Sequence, residues 1–109
     1  MLVEGDQPLV APDIMPLEVA NALWKKTRRG DVPAGDLQPA VTRLLASDVT
    51  LVPTVSLLER AVRLAVEIGH PVYDCVYLVL AHARGAPLAT SDERLRAAAR
   101  ARGVRVWRS

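Results

Sequence analysis

The segment from Pro71 to Gly85 constrains this chain more than any other. Pro71 suits the first turn of a helix and Gly85 its end, and Val72-Tyr73-Asp74-Cys75-Val76-Tyr77-Leu78-Val79-Leu80-Ala81 between them is apolar on nearly every side. A helix of that kind belongs at the centre of a fold, so the rest of the chain must be laid around it. It carries one carboxylate, Asp74. An ionised Asp in apolar surroundings costs on the order of several kcal/mol unless it is paired, hydrogen-bonded or bound to a cation, so Asp74 is expected to have a partner.

The flanking sequence alternates short apolar runs with helical periodicity. Leu9-Val10-Ala11, ended by Pro12-Asp13, predicts a strand, and Val49-Thr50-Leu51-Val52-Pro53 a second. Pro87-Leu88-Ala89-Thr90 and Val104-Arg105-Val106-Trp107 predict a third and fourth. Helices are predicted over Leu17 to Arg29, Leu37 to Ala46, Leu57 to Ile68, Pro71 to Arg84 and Asp92 to Arg102, with Leu57, Leu58, Ala61, Val62, Leu64, Ala65 and Ile68 of the third turned inward. The fold class is therefore α/β, with a mostly parallel sheet between helices. With 109 residues, 50% of them hydrophobic, one domain over 1–109 is expected.

No apolar run approaches the roughly 18 residues that span a bilayer, and no leader is visible, which predicts a soluble, cytoplasmic protein that does not engage a membrane. One cysteine, Cys75, excludes an internal disulfide and reads as a core residue. With only His70 and His82 beside it, no structural zinc set exists. His70 reads as a turn or cap residue, His82 as the polar side of an apolar helix. The formal charge of +2 hides two basic clusters, Lys25, Lys26, Arg28 and Arg29, then Arg94, Arg96, Arg100, Arg102, Arg105 and Arg108, which suit a polyanion as well as a solvated surface.

Glu18, Asp74 and Asp92 each fall in the first turn of a predicted helix, where the backbone dipole alone favours acids. Thr90-Ser91-Asp92-Glu93 also spells a capping box with Thr90 as the cap and Glu93 as its partner. Glu18 and Asp92 lie past the carboxyl ends of predicted strands, where a parallel sheet forms its ligand crevice. Convergence of the three would require a cation among them, and an all-oxygen ligand set selects Mg2+ or Mn2+. Such an ion supports phosphodiester hydrolysis by activated water. Asn21, one turn beyond Glu18, and the Thr90 hydroxyl are candidate supports. Asp13 reads as a turn former. Ser56 and Ser91 sit in no nucleophile elbow, and no phosphate-cradling glycine loop occurs.

Ala11-Pro12-Asp13 with Pro16-Leu17-Glu18-Val19-Ala20-Asn21-Ala22-Leu23, then Pro71-Val72-Tyr73-Asp74-Cys75-Val76-Tyr77-Leu78, then Leu88-Ala89-Thr90-Ser91-Asp92, resemble in order three acidic motifs of PIN-domain ribonucleases, most closely the VapC-type toxins of bacterial toxin–antitoxin modules. The resemblance covers residues 8 to 109. It implies a PIN-like α/β/α sandwich and a metal-dependent endoribonuclease in which Glu18, Asp74 and Asp92 hold Mg2+ or Mn2+. Lys25, Arg28, Arg29 and Arg94 would contact RNA, a cognate antitoxin would neutralise the activity, and the resemblance alone implies a homodimer. The family opens with an apolar strand ending in a further catalytic Asp, followed by a helix. Met1-Leu2-Val3-Glu4 does not match that opening, so an N-terminally truncated domain is expected, with Glu4 or Asp6 as a substitute acid. The alternative is a catalytically impaired PIN-like module that binds an antitoxin or itself without cleaving RNA. A receiver-like domain fits less well, because no Lys stands on the late strand.

Overall fold

The computed structural model describes residues 9–90 and 92–106. Glu4, Asp6, Ser91, Trp107 and Arg108, with the opening segment Met1 to Glu4, lie outside the described residues. In chain order the elements are β1 (Leu9–Pro12), α1 (Met15–Arg28), a 3-10 turn (Ala34–Asp36), α2 (Leu37–Leu45), β2 (Val49–Val52), a second 3-10 turn (Thr54–Leu57), α3 (Leu58–Ile68), α4 (Val72–Arg84) and α5 (Glu93–Ala101). The chain forms two compact units. The larger holds β1 with Asp13 and the described residues from Val49 onward, and the smaller is Ile14–Asp48.

In the larger unit β1 and β2 pair in parallel, with Leu9 opposite Val49 and Pro12 opposite Val52. A proline can stand at this strand end because its missing N–H falls where the ladder stops. Asp13 then takes over the pairing, donating its N–H to the Val52 carbonyl at 2.8 Å and accepting the Thr54 N–H on Oδ1 at 3.0 Å. Within the described residues the expected third and fourth strands are represented by one parallel bridge, Leu88 to Val106, with Leu88 N–H donating to Arg105 O at 2.8 Å. Pro87 has no N–H to contribute, which limits what that segment can pair.

α4 is the core helix. Cys75 through Ala81 are all buried, and Ala11, Leu57, Ala61, Leu88, Leu95, Ala99 and Val104 are buried in the same unit. Gly69 (φ 70°) ends α3 in a left-handed conformation costly for other residues, Pro71 is held extended, and α3 and α4 meet at a bend of 112°. α3 departs from its expected inward set: Leu58 and Val62 are 42% and 44% exposed and align with exposed Val55 and Val66 in one stripe. The core-facing side of α3 is narrower than its apolar arc.

The smaller unit is a pair of helices, α1 and α2, joined through Gly30 (φ 80°) and the first 3-10 turn. Met15 is its one buried residue, while Leu17, Trp24 and Leu45 are exposed. Among the described residues no single helix is long and apolar enough to cross a membrane.

Candidate active site

Asp74 stands at the third position of α4, where the dipole favours negative charge, and its N–H donates to the Pro71 carbonyl at 3.1 Å. Burial begins one residue later, at Cys75, and Tyr73 before it is 59% exposed. The Asp74 side chain is accordingly 17% exposed rather than sealed in the core as the apolar run suggested. Its neighbour is His70, whose Nδ1 lies 3.4 Å from Asp74 Oδ2, an ion pair when the imidazole is protonated. That approach closes no hydrogen bond, and Nδ1 is buried with no hydrogen-bond partner among the described residues. From the sequence His70 reads as a turn or cap residue, with no link to Asp74. The i,i+4 spacing across the helix start was the signal that could have paired it with Asp74.

Cys75 is fully buried, and its thiol lies 3.9 Å from the His70 carbonyl. Burial, and secondarily the Asp74 charge, push the thiol pKa above its ordinary value. His82 is exposed at the far end of α4, as its place on the helix implied.

Asp92 is the N-cap of α5, with Oδ1 accepting from Arg94 N at 2.9 Å and Leu95 N at 3.2 Å. The capping box centred on Thr90 is thus displaced by two residues. The Thr90 hydroxyl instead accepts the Asp92 N–H at 3.1 Å, and Glu93 is the first helical residue. Asp is as good a cap as Ser and better than Thr, which accounts for the shift. With Oδ1 committed to the backbone, Oδ2 is the Asp92 oxygen left for a ligand.

Asp13 is the turn former that was expected, and more. Thr54, through its side chain and its N–H, holds the Asp13 carboxyl below the ordinary value of 3.8.

Glu18 belongs to the smaller unit, in the first turn of α1, with its N–H bonded to the Ile14 carbonyl at 3.1 Å. Asn21 is exposed on the same helix. Lys25 and Arg28 occupy its last turn, the Arg28 guanidinium lies 5.2 Å from the Trp24 ring centroid, and Arg29 pairs with Asp31 at 3.3 Å. Arg94 is exposed on the first turn of α5. Among the described residues no three His, Cys, Asp or Glu side chains form a group that could hold a metal ion. The larger unit does supply two helix-terminal carboxylates of the hard-oxygen type that Mg2+ and Mn2+ prefer.

The family model for the PIN domain matches residues 2–101 of this chain. A curated relative, Ribonuclease VapC3 of Pyrobaculum aerophilum, is 33% identical over 95 residues, spanning 85% of this chain and 72% of the relative. The chain belongs to the PIN-domain family, among its VapC-type members, and its mixture of helices with parallel strand pairing is the α/β arrangement that the motifs implied.

Proposed function

We propose that the chain is a VapC-type endoribonuclease that hydrolyses RNA phosphodiesters with a divalent ion, Mg2+ or Mn2+, held by Asp74, Asp92 and Glu18. The observation that carries this reading is the pair of carboxylates at the N-terminal ends of α4 and α5, within a chain matched almost end to end by the family. When bound, the ion supplies Lewis acidity to the phosphodiester and neutralises charge in an in-line displacement. Asp74 contributes a carboxylate that lies 3.4 Å from His70 Nδ1, and Asp92 contributes Oδ2 from a side chain whose other oxygen is fixed by two backbone N–H groups. Thr90 holds the Asp92 backbone. Glu18 contributes the third carboxylate and Asn21 orients it. Lys25, Arg28, Arg29 and Arg94 bind RNA phosphates, a contact that weakens with salt.

The resemblance of the three acidic motifs to VapC-type toxins supports a toxin–antitoxin context, in which a cognate antitoxin restrains the activity in the cytoplasm. The exposed stripe of Val55, Leu58, Val62 and Val66 favours a second element of the proposal, self-association or antitoxin binding through α3. That surface would serve equally in a module that binds partners without cleaving RNA.

The test is titration of Mn2+ into the purified chain by calorimetry, with Asp74→Asn in parallel. Saturable binding that Asp74→Asn weakens at least tenfold is the expected result, and structured RNA should then be cut only with the ion present. Identical Mn2+ behaviour of the two proteins would refute the metal-dependent reading and leave partner binding.

A further inference from the structure

A concave feature of the larger unit lies away from Asp74 and Asp92. α3, α4 and the end of α5 enclose a groove of about 500 Å³. Leu64, Leu78, Val79 and Val104 line it, and the last three are buried, which makes an apolar floor. Arg60 and Arg63 line it as well. They are exposed, one helical turn apart, and without an ion-pair partner among the described residues. Arg102 differs, because its guanidinium is held by both oxygens of Glu67, at 2.8 and 3.3 Å. The groove therefore presents a fixed ion pair on one part of its wall and two uncommitted guanidinium groups on another, over an apolar base.

We propose that this groove docks an acidic, aliphatic peptide segment of a partner protein. Two carboxylates on the peptide would meet Arg60 and Arg63 as charge-assisted hydrogen bonds, and an intervening aliphatic side chain would cover Leu78 and Val79. Nucleic acid matches the two cations but not the rest: no Phe, Tyr or Trp lines the groove to stack a base, and its apolar floor would face a phosphodiester backbone. The groove is also separate from the candidate catalytic acids. His82, which lines it, lies two turns further along α4 than Asp74, about 12 Å at 1.5 Å per residue. Peptide and divalent ion should bind at the same time, so this inference stands or falls independently of the ribonuclease reading.

The experiment uses the full chain and a fluorescein-labelled octapeptide alternating glutamate and leucine, followed by anisotropy. Expected are saturable binding that weakens several-fold as salt is raised, and at least tenfold weaker binding to the Arg60→Glu/Arg63→Glu double variant, with an unchanged melting temperature and unchanged Mn2+ affinity. A lysine–leucine peptide should show the reverse preference. If the double variant melts early, Arg63→Gln alone should still weaken glutamate–leucine binding. Lack of saturable peptide binding, equal binding to wild type and variants, or binding of a labelled single-stranded RNA in place of the peptide would each overturn the proposal.

Discussion

The two units differ in how much each has to hold it together. The larger lays parallel strand pairing, α3 and α5 around a run of seven consecutive buried residues on α4, Cys75 to Ala81, whereas the smaller buries one side chain, Met15, and leaves Leu17, Trp24 and Leu45 exposed. Asp74 is therefore anchored on the core helix and Asp92 on a helix that buries Leu95 and Ala99, whereas Glu18 is carried by a helix pair that buries Met15 alone.

The largest effect should separate the units outright. Leu78→Ala empties a site that is 1% exposed and is expected to cost about 2–5 kcal/mol, whereas Leu45→Ala, at a residue 65% exposed, should stay within about 0.5 kcal/mol. Urea denaturation of both variants reads the contrast, and equal losses would mean that the smaller unit is as tightly packed as the larger. A smaller effect belongs to Asp92. Its replacement by Ala removes two backbone hydrogen bonds at the start of α5 and should cost about 0.5–2 kcal/mol. Asp92→Asn keeps the cap, so its melting temperature should stay close to that of wild type while Mn2+ affinity falls. A variant that kept its affinity would remove Asp92 from the proposed ligand set.

The subtlest effect is electrostatic. Thr54 depresses the Asp13 carboxyl, so the folded state binds that proton less readily than the unfolded chain, whose value is near 3.8. The stabilisation is complete above 3.8 and is lost as pH falls through the lower folded value. Asp13→Asn should flatten this part of the dependence of the urea midpoint on pH. An unchanged profile would assign the acid sensitivity to other carboxylates.

Much of the larger unit was legible in the sequence because its signals were strong and local. Pro71, Gly69 and Gly85 bracket α4, and the apolar run between them permits no other place than the core. Legibility failed where neighbours distant in sequence decide. Leu58 and Val62 lie on the apolar arc of α3 but outside the part that faces α4 and the core, which periodicity alone cannot partition. The strands around Leu88 and Val106 are represented by a bridge within the described residues, because pairing depends on what the partner offers. Within the candidate site, the three carboxylates could be picked out from their helix-start positions. The choice of Asp92 over Thr90 as cap and the meeting of His70 with Asp74 depended on side-chain geometry that spacing only suggests.

The lone thiol turns the core helix into its own reporter. Cys75 is fully enclosed, and its raised pKa keeps it in the unreactive protonated form. A disulfide reagent in solution can reach it only during an excursion that lifts the start of α4 from its surroundings. Its labelling rate is therefore a clock for the opening of the very turn that carries Asp74, readable on the native sequence without an introduced cysteine or a tag.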